Sequence, residues 1–380
     1  MPGLSKRSYD LAIVGAGICG LAHALAAARR GKRVVVIDRD AQANGASIRN
    51  FGFITVTGQQ RGECWRRALR TRDIWADIAP LAGITVLQHG LAVVARRPEA
   101  RTVLEAFSAT EMGNGCELLG ASDARRRFPV LAGASALEGV LYSPHELRVE
   151  SREAIPKLAA WLAERYGVEF VRQNAVHAVE PPLIDTSSGD IAAEAAVICP
   201  GDDFHSLFAD RLERYALTRC KLHMMRLAPL AGTTLDHPAM SDLGLVRYLG
   251  YAELPEAAAL KRRLEQEQAE HFANGVHLIA VQNADGSVIV GDSHHYGATP
   301  DPFAPSAVDD LILDEFRQVT GQCPPVLERW TGTYASAPDR LALVDCPSDN
   351  VRIVLITSGT GASTSFAIAE EVIGKMFGSQ

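Results

Sequence analysis

The sequence predicts an α/β protein in which a parallel sheet covered by helices is joined to an inserted α+β domain with a mixed, largely antiparallel sheet. Three observations support this fold class. The chain begins with a strand, a glycine-rich turn, a helix and a second strand, which is a βαβ unit. It ends with a strand, a glycine-rich turn and a helix. Between the two ends, several apolar segments follow one another without helices, a pattern typical of antiparallel sheets.

Length and composition agree with a folded protein of two domains. The 380 residues are 47% hydrophobic and 22% charged, which allows a large core and argues against disorder. The net charge of −7, without a long basic run, argues against nucleic-acid binding. Seven cysteines without a CxxC pair predict a reduced, cytoplasmic protein without a metal site. Segment 11–30 is apolar, but its glycine spacing argues against a signal peptide or a transmembrane segment.

The first thirty residues after the amino terminus carry the clearest motif. Within 9–38, Gly15, Gly17 and Gly20 follow the spacing GxGxxG between a strand and a helix. The first glycine permits a tight turn, the second a close approach to a pyrophosphate, and the third close packing of helix and strand. Asp38 closes the second strand, where a carboxylate accepts hydrogen bonds from ribose hydroxyls. The unit therefore predicts a dinucleotide whose phosphates face the helix N-terminus.

The elements between the two ends are shorter. A strand and a helix are predicted within 90–113, a strand at 136–144, and a helix at 151–167 with Ser151 as its N-cap. A buried strand is predicted at 191–201. The predicted strands of the antiparallel sheet, interrupted by a polar helix at 255–273, are 219–228, 243–250, 276–282 and 287–292.

These elements divide the chain into two predicted domains. The α/β units at both ends are expected to share one sheet, so that the first domain is assembled from separated segments. A discontinuous nucleotide-binding domain is predicted from 1–80, 150–218 and 328–380. A substrate-binding domain is predicted from 81–149 and 219–327.

Three further segments bear on the choice of dinucleotide, because a βαβ unit by itself suits NAD as well as FAD. The loop ANGASIRNFGFI at 43–54 is small and polar and is suited to pass beside a cofactor. The segment AAVICPG at 195–201 resembles the strand and turn that close over the dinucleotide in flavoproteins. The final LITSGTGASTSF places Gly359 and Gly361 at a helix start, where backbone donors suit the N1–C2=O region of a flavin.

In their order along 9–364, these motifs resemble the D-amino acid oxidase family of FAD enzymes, in the branch of glycine oxidase and sarcosine oxidase. The set also includes GTYASAPDRLALVD at 332–345. The resemblance implies a Rossmann-like FAD-binding domain of the GR2 type and a substrate domain on a mixed sheet. It implies an enzyme that oxidises a C–N bond to an imine by hydride transfer to flavin N5. Hydrolysis of the imine then gives an aldehyde and ammonia or an amine.

The resemblance also implies how FAD is bound. Members that attach the flavin covalently use a Cys near the position of Gly332, so that non-covalent FAD is expected here. The residues expected to bind FAD are Gly15, Gly17, Ile18, Gly20, Asp38, Arg39, Ser47, Arg49, Asn50, Gly52, Val176, Gly201, Gly359, Thr360, Gly361, Ala362, Ser363 and Thr364.

The sequence departs from the family at its substrate-binding positions. Amino-acid-oxidising members carry an Arg two residues after the glycine at 332, where this chain has Tyr334. The strings SPHELRVESREA, CKLHM and GDSHHY resemble a branch thought to act on 2-aminoethylphosphonate or its N-methyl derivative. We predict a small anionic amine of this class as the substrate. The predicted catalytic residues are Tyr334, Arg49 and His294, and the predicted substrate-binding residues are His145, Arg148, Tyr248, Tyr251, Lys221 and Thr360.

Several alternatives stay open at the level of sequence. A glycine, sarcosine or D-amino acid oxidase or dehydrogenase remains if a displaced Arg, such as Arg49 or Arg247, binds the carboxylate. An NAD-dependent enzyme and a non-catalytic FAD-binding subunit are two further alternatives. His294 and His295 alternate along a strand end, so at most one is expected to face the site, and His277 is expected to be an ordinary histidine. The electron acceptor, O2 or another molecule, and the oligomeric state are left open.

Overall fold

The computed structural model describes residues 8–378, so that 1–7 and 379–380 of the predicted first domain lie outside the described residues. The strands within the described residues are β1 (Ser8–Val14), β2 (Val34–Ile37), β3 (Phe53–Ile54), β4 (Val86–Ala95), β5 (Glu117–Gly120), β6 (Gly139–Val149), β7 (Glu169–Val171), β8 (Val176–Glu180), β9 (Leu183–Thr186), β10 (Ile191–Ile198), β11 (Thr218–Leu227), β12 (Ala239–Met240), β13 (Ile279–Gln282), β14 (Val288–Gly291), β15 (His295–Gly297), β16 (Val326–Ser336), β17 (Ala342–Ser348) and β18 (Val351–Ile356). The helices in this range are α1 (Ile18–Ala28), α2 (Glu63–Leu81), α3 (Pro98–Ser108), α4 (Ala121–Arg127), α5 (Ser151–Tyr166), α6 (Ala209–Leu212), α7 (Leu249–Ala252), α8 (Ala257–Glu267), α9 (Ala269–Ala273), α10 (Ser306–Thr320) and α11 (Gly361–Phe377).

The first sheet joins the two ends of the chain. Its strand order is β17-β18-β10-β1-β2-β7, and β1 pairs in parallel with both β2 and β10. All of β2 and the middle of β1, at 11–13, are apolar and buried because helices cover them, as expected for parallel strands. Helix α1 packs against α11 and α5 in one core with Leu21, Leu25 and Phe366. The predicted α/β fold with a parallel sheet is confirmed.

The second sheet is built from the middle of the chain. Its strand order is β15-β11-β14-β13-β12-β4-β6-β3, with β16 paired to β11 and β5 to β6. The pairs are antiparallel except for β12 with β4, which are parallel. Helix α10 packs against β11 and β14, and α3 packs against α8. This arrangement confirms the predicted mixed, largely antiparallel sheet.

The segment predicted as a strand at 243–250 is instead a 3-10 turn, Asp242–Val246, followed by α7. The buried carboxylate of Asp242 explains the difference. It accepts two hydrogen bonds at 3.0 Å from the guanidinium of Arg97 and one at 3.1 Å from the backbone N–H of Arg96. Because a buried carboxylate must keep such partners, these tertiary contacts fix a turn where local propensity favoured a strand.

Two predicted boundaries also differ. Helix α5 is capped by Glu150, whose side chain accepts a hydrogen bond from the N–H of Arg152, so that Ser151 is its first residue and not its N-cap. Strand β16 hydrogen-bonds to β11 along its length, so that the domain boundary predicted at residue 328 falls inside a strand of the second sheet. The apolar segment 11–30 forms β1, a turn and α1, and no helix within 8–378 is both long and apolar enough to cross a membrane.

Arg148, which was predicted to bind substrate, is part of the second sheet's core. Its side chain is 0% exposed, and it donates to the carbonyl oxygens of Phe51 at 3.1 Å and Gln282 at 3.2 Å. It also donates to Glu150 Oε2 at 3.0 Å and to Asn283 Oδ1 at 2.6 Å. All of these acceptors belong to the fold, so that the guanidinium joins separate segments and does not wait for a ligand.

Replacement of Arg148 by Leu is therefore expected to destabilise the protein by about 3 kcal/mol, because it leaves buried acceptors without a donor. The measurement is urea-induced unfolding followed by circular dichroism. Arg152→Leu is the matched control, since its side chain is 51% exposed and its loss is expected to change stability by less than about 0.5 kcal/mol. Equal stability of the two variants would contradict a structural role for Arg148.

Candidate active site

Among the described residues, two adjoining cavities lie between the first and the second sheet. The larger, of about 450 Å³, begins at the glycine turn between β1 and α1, and we call it the large cavity. The smaller, of about 350 Å³, is lined by both sheets, and we call it the inner cavity. The residues that line both cavities, and so mark their junction, are Ile18, Ala46, Ser47, Tyr334, Gly359 and Gly361.

The glycine turn forms one end of the large cavity. Gly15 has a φ of +105°, and a Cβ there would overlap the carbonyl oxygen of Cys199 on the neighbouring strand end. A Cβ on Gly20 would overlap the carbonyl oxygen of Gly15, so that α1 approaches the turn only with glycine at this position. The backbone N–H of Ile18 donates to Ser47 Oγ at 2.9 Å, which fixes the 43–54 loop beside the N-terminus of α1.

Asp38 lies in the large cavity at the end of β2. Its Oδ2 accepts a hydrogen bond of 2.6 Å from the N–H of Ala16, and its Oδ1 accepts one of 2.8 Å from the N–H of Asp40. A carboxylate oxygen can accept two hydrogen bonds, and each oxygen of Asp38 accepts one from the backbone. Both oxygens therefore retain capacity for a ligand hydroxyl. The carboxylate is thus held in place by the turn that carries the glycines.

Most of the residues predicted to bind FAD line these cavities. Those on the large cavity are Gly15, Gly17, Ile18, Gly20, Asp38, Arg39, Ser47, Val176, Gly201, Gly359 and Gly361. Those on the inner cavity, besides the shared ones, are Arg49, Asn50, Thr360, Ala362 and Ser363.

Gly52 and Thr364 do not line either cavity, which corrects their predicted role as cofactor contacts. A Cβ on Gly52 would overlap the carbonyl oxygen of Val149, so that this glycine serves the approach of the chain to β6. Thr364 is buried in α11 and donates its hydroxyl to the carbonyl oxygen of Thr360 at 3.0 Å. Asn174, two residues before Val176, was not predicted and does line the large cavity.

Tyr334 stands at the junction of the two cavities. Its ring lies beside Gly359, where an added Cβ would be 3.1 Å from the Tyr334 Cζ atom, and Gly359 has a φ of +72°. Burial raises the pKa of the Tyr334 phenol, so that its hydroxyl stays neutral. The ring and the turn before α11 together narrow the passage from the large cavity to the inner one.

The inner cavity contains an arginine without a carboxylate partner. Arg247 donates to the hydroxyl of Tyr296 at 2.9 Å, and no ion pair within 4.0 Å joins it to a carboxylate in the range 8–378. Burial lowers the pKa of Arg247, but the neighbouring Tyr296, Tyr334 and Asp292 raise it by a larger amount. The guanidinium is therefore a permanent cation with donors that a ligand anion can accept.

A buried acid and two histidines form the wall beside Arg247. Asp292 Oδ1 lies 3.3 Å from His277 Nδ1, and Asp292 Oδ2 lies 3.6 Å from His294 Nε2. Burial raises the pKa of Asp292 to about 7, against the opposing effect of Arg247. Burial and the charge of Arg247 lower the pKa of both histidines, which keeps them neutral. The three groups are close enough to share a cation, but the neighbouring guanidinium opposes a metal ion, and we assign none.

The residues predicted for catalysis and substrate binding fall into two groups. Those that line the inner cavity are Tyr334, Arg49, His294, Tyr248 and Thr360. Their predicted roles stay predictions, although their positions agree with them. His295, beside His294, points away and lies 3.1 Å from Asn274 Oδ1 through its Nε2.

The other group lies outside the inner cavity, which corrects four predictions. Arg148 is held in the core as described above. His145 Nε2 bonds the carbonyl oxygen of Asn114 at 2.8 Å. Tyr251 is fully buried against Phe107, with a centroid distance of 4.6 Å.

Lys221 is the fourth of these corrections. Its Nζ donates to the carbonyl oxygens of Asp301 at 2.7 Å and Phe303 at 2.6 Å. The ammonium thus fixes the segment that precedes α10 and has no contact with the inner cavity. The strand that carries Lys221 was predicted correctly, but the side chain, predicted to bind substrate, is used by the fold.

Sequence reasoning missed Asp292 and underrated His277, which was predicted to be an ordinary histidine. It named Arg247 only as a displaced arginine that would bind the carboxylate of an alternative substrate. The string GDSHHY contains Asp292 two residues before His294, directly after an apolar strand, and that position was the available signal. His277 lies in the site only because β13 and β14 pair. Backbone hydrogen bonds in both directions join His277 to Asp292.

A glycine turn with an acid placed for ribose hydroxyls, joined to a cavity that combines apolar walls with a few polar groups, is the arrangement of a dinucleotide-dependent oxidoreductase. A family model described as FAD dependent oxidoreductase (DAO) matches residues 10–374, and the chain belongs to this family. FAD is therefore the cofactor, and the enzyme class predicted from sequence is confirmed. The glycine turn, where any Cβ would fill the space, and Asp38 fit the cofactor's phosphates and ribose.

Glycine oxidases are among the proteins similar to this chain. The glycine oxidase of Geobacillus kaustophilus (strain HTA426) is 29% identical over 207 residues, which are 51% of this chain and 54% of that protein. The match thus spans about half the length of this relative. A crystal structure of glycine oxidase from Bacillus cereus ATCC 14579 superposes with a TM-score of 0.78 at 16% identity, covering 98% of this chain and 96% of the other.

A second solved structure shows that the same fold carries other activities. L-proline dehydrogenase from P. horikoshii superposes with a TM-score of 0.77 at 18% identity, covering 98% of this chain and 94% of the other. At such identities the likeness concerns the fold. The substrate must therefore be argued from the inner cavity of this chain.

Proposed function

We propose that the protein oxidises the C–N bond of a small amine that also carries an anionic group, and that the resulting imine hydrolyses to an aldehyde and ammonia or an amine. The observation that carries the proposal is Arg247, a cation in the inner cavity without a carboxylate partner among residues 8–378. When bound, FAD supplies the acceptor for the hydride that leaves the carbon next to nitrogen. The family membership of the chain supports this reaction class.

The side chains of the inner cavity have separate tasks in this proposal. Arg247 and the hydroxyl of Tyr296 bind the anion, and Tyr334 orients the substrate at the junction with the large cavity. Phe51, Phe53, Leu222 and Ile279 supply apolar surface that excludes water. An amine in such surroundings has a lowered pKa, and its neutral form is the one that is oxidised.

Within this class we propose an aminophosphonate, 2-aminoethylphosphonate or its N-methyl derivative, as the substrate. The donors in the inner cavity support it, since Arg247, Tyr296, Tyr248 and Tyr334 together offer more hydrogen bonds than a planar carboxylate needs. The inner cavity, of about 350 Å³, has room for a molecule of this size.

The second candidate is an amine with a carboxylate, such as glycine, sarcosine or a D-amino acid. The similarity to a glycine oxidase supports it. The fork of the Arg247 guanidinium also supports it, because two parallel hydrogen bonds suit a carboxylate. In that case Arg247 takes the place of the arginine that Tyr334 replaces in the family pattern.

Anaerobic mixing of the yellow protein with single amines tests the proposal. We expect bleaching of the flavin absorbance by 2-aminoethylphosphonate or its N-methyl derivative and at most slow bleaching by sarcosine or D-alanine. Bleaching by sarcosine or D-alanine alone would establish the second candidate. A preparation that holds FAD and is bleached by none of the four amines would contradict both and favour a non-catalytic FAD-binding subunit.

The electron acceptor and location belong to the same proposal. We propose a cytoplasmic enzyme, which the seven free cysteines support because disulfides are rare in that compartment. Mixing the amine-reduced protein with air-saturated buffer distinguishes the acceptors: fast return of the yellow colour favours O2, and slow return favours another acceptor such as a quinone.

A further inference from the structure

Asp292 is a buried acid that the fold leaves partly unsatisfied. It follows β14, its side chain lines the inner cavity, and the residue is 6% exposed. In the described part of the chain, the buried atoms Asp292 Oδ1 and His277 Nδ1 lie 3.3 Å apart without forming a hydrogen bond to each other, and neither has another hydrogen-bond partner. Buried polar atoms normally have partners, so that these two are placed for a polar group of a ligand.

The tautomer of His294 adds a second unusual feature. His294 Nδ1 lies 2.9 Å from the carbonyl oxygen of Gly275, which can only accept, so that Nδ1 carries the hydrogen. His294 Nε2 then keeps its lone pair, and this atom faces Asp292 Oδ2 at 3.6 Å. Asp292 Oδ2 and His294 Nε2 are thus two acceptors that face each other inside the protein. A proton on one of them would be donated to the other, so that the pair favours binding a proton.

Arg247 and Asp292 carry opposite charges on the same cavity, yet they are not an ion pair. The inner cavity thus offers separate places for the anion and for the ammonium group of a short zwitterion. Several elements pack against Asp292. The titratable and charged groups that they bring to it are Arg247, Tyr248, Cys220, His277 and His294.

We propose that Asp292 accepts the proton of the substrate ammonium group and shares it with His294 Nε2 before the C–N bond is oxidised. The inference rests on the function proposed above. In this step an N–H bond of the ammonium breaks, its electron pair stays on nitrogen, and an O–H bond forms on Asp292. No oxidation occurs in the step, and the proton returns to solvent when the product leaves.

The pH dependence follows from the charge of Asp292. Its pKa is raised to about 7 by burial, so that the carboxylate is available above this pH and is lost as the pH falls through it. A proton acceptor that titrates near neutrality suits a reaction that starts from an ammonium ion. His277 and His294 are neutral over this range and do not compete as charged groups.

Rapid mixing of holoenzyme with 2-aminoethylphosphonate, and separately with sarcosine, under anaerobic conditions at several pH values tests the proposal. At neutral pH, Asp292→Asn is expected to slow flavin reduction about 100-fold relative to wild type. The deficit is expected to narrow as the pH rises toward the pKa of a free amine, about 10, because neutral amine then arrives from solution. Asp310→Asn, on the exposed side of α10, is the control and is expected to retain the wild-type profile.

A second variant keeps the test valid if Asp292→Asn does not retain FAD. In His294→Gln, the side-chain amide can donate to Asp292 and stabilise the carboxylate, so that the acidic limb of the profile is expected to move to lower pH. An unchanged limb would overturn the proposal. A deficit of Asp292→Asn that is the same at every pH would also overturn it, since a positioning residue alone predicts that result.

The failure of this inference is separable from the failure of the proposed function. If no amine bleaches wild-type flavin, the function is wrong. If amines bleach it while the Asp292 variants follow the wild-type pH profile, the function stands and the proton acceptor is wrong. Stoichiometric divalent metal in the purified holoenzyme, measured by mass spectrometry, would overturn the inference as well, because Asp292 would then be a ligand.

Discussion

Arg247→Ala is expected to lower kcat/KM for the anionic amine about a thousandfold. Truncating one partner of a buried, hydrogen-bonded charge pair costs about 4 kcal/mol, which corresponds to a change of this size. The loss should fall mainly on KM, because the anion is bound alike in the ground state and in the transition state. Steady-state rates with a saturating electron acceptor, measured over a wide range of amine concentrations, give both constants.

Two comparisons make the Arg247 result specific. Arg152→Ala removes an arginine whose side chain is 51% exposed on α5, and it is expected to leave kcat/KM unchanged. Arg247→Lys keeps the charge but loses the planar fork. It should therefore retain more activity toward a phosphonate than toward a carboxylate, whose two oxygens need the fork. Equal losses for both anions would contradict the preference for a phosphonate.

Arg49 is the alternative to Arg247 as the residue that binds the anion of the substrate. It also lines the inner cavity, but its guanidinium donates to Asn44 Oδ1 at 3.1 Å and to the carbonyl oxygen of Thr331 at 3.4 Å. These partners hold its guanidinium against the 43–54 loop and β16. A large rise in KM for Arg49→Ala together with a normal KM for Arg247→Ala would move the anion site to Arg49.

The βαβ unit could be predicted from sequence because its information is local. Gly20 acts through contacts with Gly15 and Ile13, which are near in the chain, and the alternation of buried strand and helix is visible in the sequence of 9–38. The same holds for the turn before α11, where Gly359 has a positive φ. Local propensity and the tertiary fold agree at these places, so that the short motif specifies the structure.

The substrate site could not be predicted in the same way, because its groups are chosen by long-range packing. Arg148 and Arg247 are both arginines within apolar segments, but the first finds acceptors on two other segments and the second finds a tyrosine. The strand predicted at 243–250 also implied that Arg247 sits on one face of a sheet, whereas it follows a 3-10 turn. Buried Asp242 fixes the turn there through Arg97, which lies far away in the chain.

His277 and Asp292 illustrate the same limit. They are separated by a hairpin and come together through the pairing of β13 and β14. Nothing in the residues around His277 distinguishes it from a core histidine, and its unpaired Nδ1 is visible only in the folded chain, within the described residues. Asp292 and His277 thus come together through sheet pairing rather than through a motif.

Gly20→Ala is expected to yield a colourless protein, with FAD occupancy at least about tenfold below wild type, because a helix that cannot pack against the glycine turn no longer presents its N-terminal N–H groups to the pyrophosphate. A Cβ at this position would overlap the carbonyl oxygen of Gly15 and lie 3.3 Å from Ile13 Cγ2. Because the overlapping atom is backbone, the conflict is relieved only by moving α1. The ratio of flavin to protein absorbance after purification measures the occupancy.

Two glycines of the same unit give a graded control. Gly17→Ala would place its Cβ 2.9 Å from Ser47 Oγ, a side-chain atom that can turn away, so that a partial loss of FAD is expected. Gly31→Ala meets nothing within 4 Å but has a φ of +71°, and it should retain FAD while losing about 1 kcal/mol of stability. With these results, the close approach of α1 to the glycine turn, and not the positive φ of a glycine, accounts for FAD binding. If folded Gly20→Ala, judged by circular dichroism, retains full FAD, or if Gly31→Ala loses FAD as severely, the close packing of α1 on the turn is not what holds the cofactor.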